Sequence, residues 1–187
     1  MKMNTFQIVV LIGACFVTVL MRTQDMPHGL DSMIALALIC GAVVRHPAAI
    51  LLPLAIRLLT DTLLWARTGY GFYPSVLFDY SAYLLIVLLA RYVPAPRYVN
   101  VVAGGLIGPC LFFLISNLGV WALWPDTYAS TLTGLMTCYA QGIPFFKSSI
   151  AGNFVFALVF LGSWHMATVA VNSDTHAVAK AEQGSDI

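Results

Sequence analysis

Six apolar stretches, at roughly 5–21, 30–44, 48–66, 73–91, 98–123 and 148–170, occupy most of the chain and leave little sequence for a soluble surface. About 20 apolar residues cross a bilayer as a helix. By that measure the first stretch is slightly short, the second clearly short and the fifth long. Hydrophobic residues make up 60% of the 187 positions and charged residues 9%, against about 25% charged in soluble domains. A soluble fold of this length has no interior large enough for such apolar content. The chain therefore reads as an all-α integral membrane protein. One six-helix transmembrane bundle covers residues 1–171, and a polar, flexible tail covers 172–187. In the mixed connector 125–147, Leu132, Leu135, Met136 and Tyr139 recur at helical spacing. That recurrence predicts a short interfacial helix between spans five and six.

Basic residues orient the bundle. With the N-terminus inside, the cytoplasmic side holds Lys2, Arg45, Arg91, Arg97 and Lys180, and the outer side holds Arg22, Arg67 and Lys147. Both termini are then cytoplasmic. Lys2 followed by an apolar run imitates a signal peptide, and Ile12-Gly13-Ala14-Cys15 imitates a lipoprotein cleavage box. Apolar residues nevertheless continue to Met21, which favours an uncleaved first helix. The net charge of +1 supplies no field for nucleic acid. Cys15, Cys40, Cys110 and Cys138 show no paired spacing, so they read as packing residues and not as a disulfide framework or metal site.

Polar groups inside apolar spans are costly and mark packed polar contacts or cavities. Asp61, Asp79, Asn117 and Asn153 are such groups, and the threading puts all four toward the outer ends of their spans. Arg57, Asp61 and Trp65 recur every four residues and share one helical face. Two compatible readings follow: a structural Arg57–Asp61 ion pair, and a pocket lined by Asp61 and Trp65. Asp79 has Tyr83 four residues on, and Arg57 on the neighbouring span is its nearest candidate partner. Asn117 and Trp121 repeat the pairing of a polar group with an aromatic one, an arrangement that suits a planar, partly polar ligand. Asn153 follows Gly152 and fits either a ligand contact or a bond to a neighbouring helix. Arg22, Asp25, His28 and Asp31 form a polar loop beside the short second span, and short spans point to binding sites.

The chain carries no GxSxG, Walker A, HExxH or paired-His zinc spacing, so no enzyme class, metal or cofactor is expected. His46 and His165 read as structural residues and not as haem ligands. Ala37/Gly41 and Gly104/Gly108 are small-xxx-small pairs that permit close helix approach, and Gly108-Pro109 is a candidate kink.

Residues 34–61, IALALICGAVVRHPAAILLPLAIRLLTD, and 112–146, FFLISNLGVWALWPDTYASTLTGLMTCYAQGIPFF, carry a family likeness. The specific pieces are Ser116-Asn117, Gly119-Val120-Trp121, Tyr128, Thr131-Leu132, Gly134-Leu135, Cys138-Tyr139 and Ile143-Pro144-Phe145-Phe146. Over most of 28–163 the chain resembles a family of uncharacterised bacterial six-helix membrane proteins, similar to the substrate-binding (S) components of energy-coupling factor transporters. The resemblance implies a bacterial cytoplasmic (inner) membrane location and an outward ligand pocket. It also implies docking onto a transmembrane coupling subunit driven by ATPases. One departure stands out. The small-residue strip of such a first helix is reduced here to Gly13, Ala14 and Thr18.

Two functions follow as expectations. One is a substrate-capture subunit for uptake of a small vitamin-like molecule, with Asp61, Asp79, Asn117 and Trp121 lining the site and Asn153 and Tyr83 secondary. The other is a non-catalytic accessory subunit of a larger respiratory or photosynthetic membrane complex, in which the same polar groups only join helices.

Overall fold

Asn4 starts the first helix. Its side chain accepts from the Gln7 amide at 2.7 Å while Gln7 Oε1 accepts from the Asn4 amide at 3.1 Å, a reciprocal cap. The computed structural model describes residues 3–24, 32–44, 46–92 and 97–184, with backbone only for 97, 98, 100, 101 and 170–184. It contains six α-helices: α1 (Thr5–Thr23), α2 (Met33–Ala42), α3 (Leu52–Thr68), α4 (Val76–Tyr92), α5 (Arg97–Leu123) and α6 (Leu132–Gly184). A 3-10 turn at Pro47–Ile50 precedes α3. No strand occurs among the described residues.

Three helical stretches are long and apolar enough to cross a membrane: Thr5–Thr23, Val102–Leu123 and Leu132–Val169. They mark a membrane protein. The 10 residues of α2 rise only about 15 Å, half of a hydrocarbon core. This helix is apolar on every side, and residues 33–41 are all buried. A helix without a polar face needs neighbours all round, and α2 touches each of the other five helices.

Small residues permit that central position. A Cβ on Gly41 would lie 2.4 Å from the Val87 carbonyl oxygen. One on Gly104 would meet Leu38 at 2.3 Å, and one on Gly108 would meet Ile34 at 2.6 Å. The small-residue pairs are thus internal contacts around α2. The start of α2 is tied by polar bonds. Ser32 and Thr18 share a hydrogen bond of 2.9 Å, and the Ala35 amide donates to Asn153 Oδ1 at 3.3 Å.

The separate interfacial helix expected between the fifth and sixth spans is corrected by the structure. Leu132 instead opens α6, which continues through Pro144 to Gly184. An interior proline removes one backbone bond and costs about 3 kcal/mol. Helix α6 packs antiparallel on α5 on both sides of that break. The helix also runs through 172–184, the polar segment. Likewise α5 is one helix through Pro109.

Candidate functional site

Two polar assemblies meet at Asp79 of α4 and Tyr73 of the α3–α4 loop. The first is ionic. Arg57 and Asp61, one turn apart on α3, pair through Nε and Oδ2 at 2.8 Å. Arg22 from the end of α1 reaches the other oxygen of Asp61 at 3.0 Å, and its Nε donates to Thr60 at 2.9 Å. Arg57 also reaches Asp79 Oδ2 on α4 at 3.2 Å. Tyr80 donates to Asp61 Oδ2 at 3.0 Å. The Arg57 guanidinium lies 5.6 Å from the Tyr83 ring centre and 5.9 Å from that of Tyr80. Two cations therefore balance two anions. Arg57, Asp61 and Asp79 are all buried, a placement that low-dielectric surroundings permit only when charges are paired and hydrogen-bonded.

The loop between α3 and α4 completes this network. Gly69 ends α3 with φ of 74°, the left-handed region that glycine enters without strain. Gly71 then lies directly on α3, since a Cβ there would be 2.1 Å from the Asp61 carbonyl oxygen. This close approach brings Tyr73 inward. Its hydroxyl accepts from Arg57 at 2.8 Å and donates to Asp79 Oδ2.

The second assembly is a cavity of about 360 Å³ bounded by α4, α5, α6 and the Tyr73 loop, with Ile34 of α2 also in its wall. That is within the range of small-molecule sites. Its walls are mostly aromatic. Tyr83 and Phe112 lie 4.9 Å apart, and Phe113 stacks on Phe146 at 4.6 Å. The polar lining consists of Asp79, Tyr73, Asn117, Ser116 and Ser149.

Two of those polar groups, Asp79 and Asn117, present open acceptor oxygens. Both contacts of Asp79 use Oδ2, so Oδ1 has no partner among the described residues. Asn117 donates its amide to the Phe113 carbonyl at 2.8 Å. Its Oδ1 receives only a long thiol contact of 3.9 Å from Cys138. No lysine or arginine lines the cavity, and the nearby Arg57 is occupied by Asp61, Asp79 and Tyr73. Glycine makes room opposite Asn117, for a Cβ on Gly142 would stand 2.7 Å from Asn117 Oδ1 and 2.8 Å from the Phe113 ring.

Of the residues singled out in the sequence, Asp79, Tyr83 and Asn117 border the cavity. Asp61 lies behind it in the ionic network, so the Arg57–Asp61 pair is present while its carboxylate faces cations. Asn153 holds the start of α2 and also donates to the Ser149 carbonyl at 3.0 Å. Trp121 turns to the 124–131 connection, donating to the Ala129 carbonyl at 3.0 Å, and Trp65 is exposed. The polar loop expected at Asp25, His28 and Asp31 lies outside the described residues.

Sequence reasoning passed over Tyr73, Tyr80, Phe112 and Phe113 as site residues, carried Phe146 only within the family likeness, and placed Arg22 in the outer polar loop. The Phe112-Phe113 and Phe145-Phe146 doublets, the second directly after Pro144, are the available signal. No periodicity announces Tyr73, which sits on a loop. The described residues hold no group of three or more His, Cys, Asp or Glu positioned for a metal.

A family profile described as "Family of unknown function (DUF6580)" matches residues 2–176. No curated protein and no solved structure matches the chain.

Proposed function

The chain belongs to the DUF6580 family, whose description assigns no activity, and on the geometry above we propose that this member is a substrate-capture subunit of the bacterial inner membrane. In this reading all six helical segments cross the membrane, with α2 completing its passage through flanking chain. The Asp79 end of the bundle faces outside, as in an energy-coupling factor S component. Uptake would proceed by binding and release without covalent chemistry, with energy supplied by a coupling subunit and ATPases.

The observation that carries the reading is the aromatic cavity with open acceptors at Asp79 Oδ1 and Asn117 Oδ1. Unfilled acceptors in an apolar wall favour a ligand that brings N–H or O–H donors. Stacked rings favour a planar ligand. The absence of a cation from the lining disfavours a carboxylate or phosphate, whose burial without a partner costs several kcal/mol. The substrate class is thus a neutral or cationic planar compound carrying N–H donors.

Thermal unfolding of the purified protein with a panel of heteroaromatic amines and matched aromatic carboxylates tests this. An amine should stabilise the wild type. Its affinity should fall at least about tenfold, some 1.4 kcal/mol, in Asn117→Ala and Asp79→Asn proteins that retain helical circular dichroism. Equal stabilisation of the wild type and both folded variants would remove the site. Stabilisation by the carboxylates alone would overturn the substrate class.

A further inference from the structure

Lys147 lies in the middle of the 38-residue apolar stretch Leu132–Val169. Ahead of a span starting at 148 it would stand at the outer edge. Continuity of α6 and its register on α5 give it another depth. Phe146, its chain neighbour, stacks on Phe113. Gly142 packs on Phe113 and Asn117, and farther along Gly105 faces Phe154 and Ala157. The two helices are therefore antiparallel with Lys147 level with Phe113 or slightly past it. Val102–Leu123, the membrane-length stretch of α5, spans 22 residues and has its midpoint between Phe112 and Phe113. Lys147 thus leaves α6 near mid-depth.

It also points away from the bundle. Lys147 is exposed and does not line the cavity. It makes no ion pair or hydrogen bond among the described residues. Its helical face carries Met136, Ile143, Leu158 and Val169, all exposed apolar side chains suited to lipid or a second helix. Pro144 has no N–H to offer the Ala140 carbonyl on the same side. A lysine stem of ~6 Å can snorkel, but mid-depth is about 15 Å from the interface. Charged side chains at that depth face the bundle interior or pair with another charge, and Lys147 does neither among the described residues. Among the residues whose side chains are described, a second copy offers no acid there, because Asp61 and Asp79 are buried and Asp126 lies on the α5–α6 connection.

We propose that the Lys147 face of α6 docks a transmembrane helix of a different protein, and that this helix carries an Asp or Glu opposite Lys147. The apolar stripe supplies packing and the ion pair supplies register and partner choice.

The test uses the full-length chain in native membranes. Dicyclohexylcarbodiimide activates carboxylates inside the bilayer, and an adjacent lysine amine then attacks the activated acid, releasing the urea and leaving an isopeptide bond. Mass spectrometry should find Lys147 joined to an Asp or Glu in a hydrophobic segment of another protein. Lys147→Leu should keep the thermal midpoint of the purified chain while lowering co-elution of that same protein at least tenfold. Lys147→Arg should keep co-elution and lose the cross-link, since it retains the charge without the reactive amine. Labelling of Lys147 by a membrane-impermeant amine reagent would overturn the proposal by putting it in water. A cross-link only within this chain or to a second copy, or no cross-link at all, would also overturn it.

Discussion

The α1–α3–α4 corner and the α5–α6 wall treat polarity in opposite ways. The corner gathers Arg22, Arg57, Asp61 and Asp79, and balances them with one another and with two tyrosines. The wall leaves Asn117 Oδ1 open in a cavity and presents Lys147 on the bundle surface. Charge inside a bilayer persists only where its solvation is replaced. The corner replaces it from within the chain. The wall leaves Asn117 Oδ1 and Lys147 without such replacement among the described residues. Closed polar groups thus serve the fold, and open ones are where something else can bind.

The comparison breaks most severely at Asp61. Asp61→Ala takes one carboxylate from both Arg57 and Arg22. Removing one partner of a buried pair costs roughly 3–5 kcal/mol, so the folded fraction and the thermal midpoint in detergent should both collapse. A variant of near wild-type stability would make the network dispensable.

Gly71→Ala comes next. The new methyl would enter the Asp61 carbonyl region, where backbone cannot yield cheaply. The loop must lift and withdraw Tyr73 from Asp79 and Arg57. A loss of about 1–3 kcal/mol is expected, read by thermal unfolding and by faster proteolysis of the α3–α4 loop.

Tyr73→Phe isolates the hydroxyl from the loop and should cost about 1 kcal/mol, the net worth of a typical hydrogen bond. A double-mutant cycle with Asp79→Asn should show coupling, because both side chains share one contact. Additive effects would separate loop and network.

Trp65→Phe should have the smallest effect, within about 0.5 kcal/mol, because the indole is exposed on the outside of α3. It should leave ligand affinity unchanged. A tenfold loss of binding would place the site on the opposite face of α3 and sharpen the division drawn above.

Particular residues explain what was legible beforehand. Arg57 and Asp61 lie one turn apart on the same helix, so their pairing follows from helical geometry alone. Asp79 and Asn117 stood out because each is polar inside an apolar span. Trp121 carried the same pattern as Tyr83, yet its indole turns to Ala129 while Tyr83 faces Phe112. Helical spacing assigns residues to a common face, but the side that neighbouring helices cover is a separate matter. The boundary at 148 failed for a related reason. Lys147 and Pro144 resemble the edge of a span, whereas contacts with α5 carry the helix past both.

The sequence by itself determined the membrane class, the helical character and the existence of the Arg57–Asp61 pair. Those depend on local composition and on the 3.6-residue period, which are properties of consecutive residues. Only the tertiary structure decided that Arg22 completes the pair and that Asn153 holds α2 instead of lining the cavity. It also decided that the α5–α6 register brings Lys147 level with Phe113 on the middle of α5. In lipid, apolar surfaces do not rank one packing above another by hydrophobicity, since the surrounding tails are equally apolar. The choice falls to the fit of glycines such as Gly41 and Gly108 and to polar bonds between distant segments, neither of which any single stretch of sequence contains.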